Sequence, residues 1–107
     1  MNIKQRPTFW AKIYMAGDID QAKHLLRAEC MRNGLCVTVE PATYIYTGGE
    51  ESGFVVGLVD YPRFPSSKNK ISARAEHIAQ LLINGLFQSS ALVQTPTTAK
   101  WFTNRSV

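Results

Sequence analysis

The sequence predicts a ferredoxin-like α+β sandwich, in which an antiparallel sheet carries two helices on one face. The hydrophobic periodicity changes along the chain in the order strand, helix, strand, strand, helix, strand. This βαββαβ order belongs to the split βαβ arrangement, whose two right-handed crossovers put both helices on the same face of the sheet. The chain has 107 residues with 45% apolar positions, which suits a single domain spanning residues 1–107 around one core.

Residue spacing predicts the first strand and the first helix. Residues 8–16 alternate with a period of two, which places Trp10, Lys12 and Tyr14 on the face opposite the helices. Asp18 is typical of a helix N-cap and Asn33-Gly34 of a helix stop, so the first helix is predicted over 19–33. Its apolar face is predicted to consist of Ala22, Leu25, Leu26 and Cys30.

The second and third strands are predicted to form a hairpin. Residues 35–47 have a β-like composition that Pro41 interrupts, which predicts a long strand with a bend or bulge at the proline. Residues 48–53 are rich in glycine and predict a loop. Residues 54–61 are almost continuously apolar, which is typical of a strand covered on both faces or of a strand whose second face binds a partner.

The rest of the chain completes the predicted sheet. Residues 61–65, Tyr-Pro-Arg-Phe-Pro, predict an ordered loop because two prolines fix φ and remove backbone donors. Apolar residues at helical spacing predict the second helix over 67–87. Residues 91–94 and 99–102 flank a turn that contains proline, which predicts strand four and an additional C-terminal hairpin. Residues 1–7 and 103–107 are interpreted as tails.

Charge and cysteine usage narrow the function classes. Lys and Arg number 12 against 8 Asp and Glu, and the net charge of +4 is compatible with nucleic acid, nucleotides or an acidic protein partner. Cys30 and Cys36 do not have the spacing of zinc ligands and lie far in sequence from His24 and His77. We therefore expect two reduced thiols and neither a metal nor a cofactor. No apolar run predicts a membrane span or a secretion signal, so a cytoplasmic location is expected.

One candidate binding surface is the sheet face without helices. Trp10 and Tyr14 on this face could stack on nucleic-acid bases, or a second copy of the chain or the terminal hairpin could cover them. Residues 52–58 superficially match the strand that RNA-recognition modules use, but Glu50 and Glu51 next to it would repel phosphate. The coverage of this face by a second copy predicts a homodimer or a higher oligomer.

The other candidate surface is the segment 61–74. Tyr61, Arg63 and Phe64 lie on a proline-stiffened loop that would lose little entropy on docking, so they are predicted to anchor a protein partner. The alternative is an anion or nucleotide site at the start of the second helix. Its residues would be Arg63, Ser66, Ser67, Lys68, Lys70 and Arg74.

The residues do not predict catalysis. The chain has no nucleophile elbow, no phosphate-binding loop and no dinucleotide fingerprint. Glu50 and Glu51 follow Gly48-Gly49 at a predicted hairpin tip, where adjacent side chains point apart, and they are interpreted as a solvated turn. No residue is therefore assigned a catalytic role.

Three phrases of the sequence carry a resemblance. They are GLCVTVEP at 34–41, YIYTGGE at 44–50 and GLVDYPRFP at 57–65. They resemble a group of small uncharacterised accessory proteins of tailed phages and prophages, and the resemblance extends over residues 8–102. It implies a non-catalytic protein in the host cytoplasm that binds and inhibits a host protein or defence complex, as an anti-CRISPR-like or other anti-defence factor. The alternative function is a nucleotide or single-stranded nucleic-acid binding module that uses residues 61–74 or the open sheet face.

Overall fold

The computed structural model describes residues 1–106 and contains five strands and two helices. In chain order these are β1 (Trp10–Ala16), α1 (Ile19–Asn33), β2 (Thr38–Tyr46), β3 (Gly49–Val59), α2 (Lys68–Gly85), β4 (Ser90–Gln94) and β5 (Ala99–Thr103). The strands form one antiparallel sheet in the order β2-β3-β1-β4-β5. This order confirms the ferredoxin-like α+β prediction, and β5 is the additional C-terminal hairpin strand.

The hydrophobic core lies between the helices and one face of the sheet. Alternate residues of β1 are buried, and the residues between them, Trp10, Lys12 and Tyr14, lie on the opposite face as predicted. The core side chains with no exposed surface include Ile13, Phe54, Val56, Ile78 and Leu82. None of the helices among residues 1–106 is long and apolar enough to cross a membrane.

Helix α1 begins and ends where the sequence predicts. The Asp18 carboxylate accepts hydrogen bonds from the backbone N–H groups of Asp20 and Gln21 at 2.8 and 3.0 Å, which satisfies two donors that the first turn leaves free. The Gly34 N–H closes the last turn on the Cys30 carbonyl at 2.9 Å. The buried face differs from the prediction, because it contains Glu29 together with Ala22 and Leu26.

The β2–β3 hairpin has a tighter turn and a longer β3 than predicted. Only Thr47 and Gly48 form the turn, because Gly48 adopts a φ of 91° that lets β3 begin at Gly49 instead of residue 54. Pro41 lies inside β2, which tolerates it because β2 is an edge strand of the sheet. At its other end β2 begins only at Thr38, so residues 35–37 form a separate segment before the strand.

The two predicted tails also need correction. Thr103 pairs with Ser90 and belongs to β5, so the predicted C-terminal tail begins inside the sheet. Val107, the last residue of that tail, lies outside the described residues. In the predicted N-terminal tail, the Arg6 guanidinium forms an ion pair with Asp60 at 2.9 Å.

Candidate functional site

A cleft of about 670 Å³ lies at the end of the sheet where β3 ends and α2 begins. Its walls come from three stretches of the chain: 34–38 between α1 and β2, 57–66 at the end of β3 and in the following loop, and 70–74 in the first turns of α2. The βαββαβ topology brings these stretches together, because α1 ends, β2 begins, β3 ends and α2 begins at the same end of the sheet. The volume is in the range of sites for small molecules.

Two aromatic side chains form one wall of the cleft. The Phe64 N–H donates to the Tyr61 carbonyl at 2.9 Å, which closes a turn and brings the two rings together. Their centroids are 6.1 Å apart and their planes differ by 21°, so the rings are stacked. Tyr61 and Phe64 are 53% and 66% exposed, so neither ring belongs to the core. They provide a flat surface on which a heterocycle could stack.

Two cationic side chains form a second wall of the cleft. Lys70 and Arg74 lie one turn apart on α2, and both line the cleft. Arg74 Nη1 donates to Ser66 Oγ at 3.3 Å, and among residues 1–106 neither cation has a carboxylate partner. The lining residues include no Asp, Glu or His. The cleft is therefore electropositive and suited to an anionic group such as a carboxylate.

Asp60 holds the loop that carries the aromatic wall. Its carboxylate accepts a hydrogen bond from the Ser66 N–H at 3.0 Å and pairs with Arg6 at 2.9 Å. The Ser66 hydrogen bond, helped by Arg6, keeps the pKa of the Asp60 carboxyl below its usual value. The Asp60 carboxylate therefore ties Ser66, at the far end of the loop, to the residue at its beginning.

Cys36 and Cys30 are free thiols with different environments. Cys36 was predicted inside a strand, but it precedes β2, is exposed and lines the cleft. Cys30 lies half-buried in the last turn of α1, where burial, with a smaller contribution from Cys36, raises the pKa of its thiol. The described part of the chain contains no group of three or more His, Cys, Asp or Glu residues that could hold a metal ion.

The cleft does not gather all of the predicted anion-binding residues. Ser66, Lys70 and Arg74 line it, whereas Ser67 is the N-cap of α2 and accepts a hydrogen bond from the Lys70 N–H at 3.1 Å. Lys68 lies over the Phe9 ring at 5.9 Å and lines a smaller cavity of about 350 Å³ on another side of α2. This division follows from helical geometry, because residues two apart in a helix do not share a face.

The predicted partner-binding residues also lie on different surfaces of the protein. Tyr61 and Phe64 line the cleft, whereas the Arg63 guanidinium lies outside the lining and 5.3 Å from the Phe64 ring centroid. Trp10 and Tyr14 lie on the sheet face without helices, where the Lys12 ammonium is 5.4 Å from the Trp10 ring. That face also carries the exposed apolar side chains of Leu92 and Trp101, which pair across β4 and β5.

Sequence analysis missed the wall formed by residues 34–38 and the buried Glu29 behind it. The segment 34–38 carries no motif, and its contribution depends only on which end of the sheet it occupies. Glu29 could have been found, because it follows the buried residues Ala22 and Leu26 at positions i+7 and i+3.

The comparisons with known proteins identify solved structures that share this fold. No protein-family model and no curated protein matches the sequence. A phage SAM lyase in its apo state has a TM-score of 0.68 and 16% identity, covering 92% of this chain and 91% of its own. A phage SAM lyase in complex with S-methyl-5'-thioadenosine has a TM-score of 0.64 and 15% identity, covering 96% of this chain and 95% of its own. At this identity the likeness shows a shared fold.

These matches correct the functional interpretation of the sequence. A non-catalytic binding protein was expected, and this expectation is wrong because the structures that match almost the whole fold are those of an enzyme. A sequence motif could not reveal the cleft, since it is built from three distant stretches of the chain. The resemblance to phage proteins agrees with the phage source of both structures.

Proposed function

We propose that this protein is an enzyme that binds S-adenosylmethionine (SAM) and cleaves it to S-methyl-5'-thioadenosine. The observation that carries the proposal is the match of more than nine-tenths of the chain to a SAM lyase structure that holds S-methyl-5'-thioadenosine. The cleft at the start of α2 supports the proposal independently, because its size and lining suit the parts of this substrate.

Each part of SAM has a matching surface in the cleft. Adenine is a flat heterocycle and would stack on Tyr61 or Phe64, which already present parallel rings. The α-carboxylate of the methionine part would bind between Lys70 and Arg74, which have no acidic partner among residues 1–106. The sulfonium cation would then lie on the aromatic side of the cleft, away from the two cations, where ring faces attract positive charge.

The bond that breaks joins the sulfur of SAM to the γ-carbon of its methionine part. The electron pair of this bond goes to sulfur and leaves neutral S-methyl-5'-thioadenosine. If the substrate's own carboxylate oxygen bonds to the γ-carbon, the remaining fragment is a lactone and no proton is transferred. If instead a base removes a β-proton, the fragment is an unsaturated amino acid. The cleft lining has no carboxylate or imidazole, and its Lys70 is assigned to the substrate carboxylate, so we propose lactone formation, which needs no base.

The direct test is incubation of the purified protein with SAM, followed by mass spectrometry of the products. S-methyl-5'-thioadenosine together with a four-carbon lactone is expected, and the unsaturated amino acid would correct the reaction route. Failure to form S-methyl-5'-thioadenosine, together with no binding of this nucleoside in isothermal titration calorimetry, would overturn the proposed function.

Variants of the basic wall test the assigned binding mode. Lys70→Gln and Arg74→Gln should each raise the KM for SAM about tenfold, the scale of a charge-assisted hydrogen bond. They should leave the Kd for S-methyl-5'-thioadenosine unchanged, because this nucleoside lacks the carboxylate. Arg27→Gln is the control. This substitution removes the same charge from an exposed position on α1 that does not line the cleft.

Variants of the aromatic wall test the assigned position of the adenine. Tyr61→Ala and Phe64→Ala should weaken binding of both SAM and S-methyl-5'-thioadenosine, because both molecules contain adenine. If these variants weaken binding of SAM but not of S-methyl-5'-thioadenosine, the adenine binds in another part of the cleft.

An anti-defence role is compatible with this reaction. SAM is the methyl donor of methyltransferases, so an enzyme that removes it would deprive host methyltransferases of their substrate. The phage source of the matched structures supports this role. Expression of the protein in a bacterial host should lower the cellular SAM concentration, whereas the Lys70→Gln/Arg74→Gln double variant should lower it less.

A further inference from the structure

A buried carboxylate joins the two helices behind the cleft. Glu29 on α1 is 1% exposed, and its oxygens accept hydrogen bonds from Arg32 Nη2 at 2.6 Å and from the Asn33 side-chain amide. His77 Nε2 on α2 lies 3.2 Å from Glu29 Oε2. Among residues 1–106 this is the one contact between a carboxylate and a basic side chain that joins the two helices.

The position of this pair relates it to both walls of the cleft. Asn33, which Glu29 binds, directly precedes Gly34 at the start of one wall. His77 is three residues after Arg74, which lies on the other wall and on the same side of α2. Farther from the cleft, α1 and α2 approach closely where Leu25 meets Gly85. Along both helices, the Glu29–His77 contact therefore lies between the Leu25–Gly85 contact and the cleft.

Glu29 is buried, whereas the side chains of Arg32 and His77 are each 60% exposed and keep most of their hydration. A carboxylate differs from an apolar side chain in fixing the direction and distance of its partners through hydrogen bonds. Glu29 holds three partners in this way, one of them on the neighbouring helix.

We propose that Glu29 is a positioning residue that fixes the last turn of α1 to α2 and thereby sets the separation of the cleft walls at Gly34 and Arg74. The proposal rests on the cleft being the substrate site proposed above. Glu29 itself does not line the cleft, so it acts on the substrate only through the wall residues.

The test replaces Glu29 by methionine, which fills a similar volume without charge. For Glu29→Met, the KM for SAM should rise about fivefold at nearly constant kcat. The melting temperature should change little, because the apolar burial of methionine offsets the lost hydrogen bonds. His77→Ala should shift KM in the same direction, and the double variant should add little, because both changes break the same link. Glu29→Gln should recover part of the KM, since its amide oxygen can still accept a hydrogen bond.

Asp20→Asn is the matched control. It removes one negative charge from the exposed N-terminal end of α1, far along the helix from Glu29, and should leave KM unchanged. If KM and melting temperature change together in Glu29→Met and recover together in Glu29→Gln, the residue has a structural role only and the proposal is wrong.

Hydrogen exchange separates this proposal from the proposed function, because it needs no ligand. In Glu29→Met the amides of residues 30–34, which include the Gly34 N–H bonded to Cys30, should exchange faster, while residues 19–24 should not change. Unchanged exchange at 30–34 would overturn the positioning role even if the enzyme cleaves SAM. If exchange is faster in Glu29→Met but the wild type does not cleave SAM, the result supports the link between the helices and contradicts only the proposed substrate.

Discussion

Gly53 lies at the closest approach between β3 and its neighbours. A Cβ at this position would be 2.2 Å from the Met15 carbonyl oxygen and 2.8 Å from the Ala16 Cα, and backbone atoms cannot move aside cheaply. We expect Gly53→Ala to lower the free energy of unfolding by about 3 kcal/mol, the upper range for overpacking. Urea denaturation measures this change, and Ser52→Ala at the exposed neighbouring position is the control. A loss below 1 kcal/mol would show that β3 can shift.

Glu29 also makes the stability of the fold sensitive to acid. Its hydrogen bond from Arg32 outweighs the cost of burial and lowers the pKa of the carboxyl in the folded state. Ionised Glu29 therefore stabilises the fold above the unfolded pKa of about 4.3, and this contribution is lost as the pH falls through the lower folded value. Between about pH 5 and pH 2, the wild type should lose more thermal stability than Glu29→Met. Parallel curves for the two proteins would contradict this prediction.

The residues of the candidate site differ in how far a local sequence pattern could predict them. Tyr61, Phe64, Lys70 and Arg74 could be predicted as a group because they lie within one loop and the helix that follows it. Tyr61 and Phe64 were assigned to protein docking and Lys70 and Arg74 to an anion site, because no local pattern revealed that all four line one cavity. Glu29 was missed because a charged residue on an apolar helix face is assumed to be solvated until its partners are known.

The segment that ends α2 contains Phe87, the one non-glycine residue with positive φ in the described range 1–106. Phe87 has a φ of 56° and a side chain that is 94% exposed. We expect Phe87→Asn to raise the free energy of unfolding by about 0.5–1 kcal/mol, because Asn tolerates this conformation and the exposed ring contributes no burial. Phe87→Ala is the comparison variant, since it removes the ring but keeps the strained backbone. A decrease in stability for both variants would indicate that the ring contacts another part of the protein.

The elements were predicted more accurately than their connections. The type and order of all the helices and strands follow from periodicity, because each element buries one face against the same core. The limits of the β2–β3 hairpin did not follow, since a glycine-rich stretch can form either a loop or a strand with a tight turn. Pairing with β2 extends β3 to Gly49, and this long-range contact is absent from the local pattern.

At the scale of the whole molecule, the sheet face without helices remains the predicted surface for self-association. Trp10, Tyr14, Leu92 and Trp101 share this face, and no element of the described chain covers it. We expect a homodimer or larger oligomer in light scattering, and Trp10→Glu should weaken it by a few kcal/mol, the scale of a buried aromatic anchor. Lys12→Glu on the same face is a comparison for the effect of charge alone. A wild-type protein that is monomeric at hundreds of micromolar would contradict this prediction.

The ion pair between Arg6 and Asp60 has a practical consequence for handling the protein. Asp60 also orders the loop of the aromatic wall, so the first residues of the chain are attached to one edge of the cleft. The last β-strand instead ends beside Ser89 and Ser90, at the opposite end of the sheet. An affinity tag or fluorescent fusion ahead of Arg6 would therefore lie beside the proposed substrate cleft, whereas an attachment point after β5 would lie at the opposite end of the sheet and leave the cleft open.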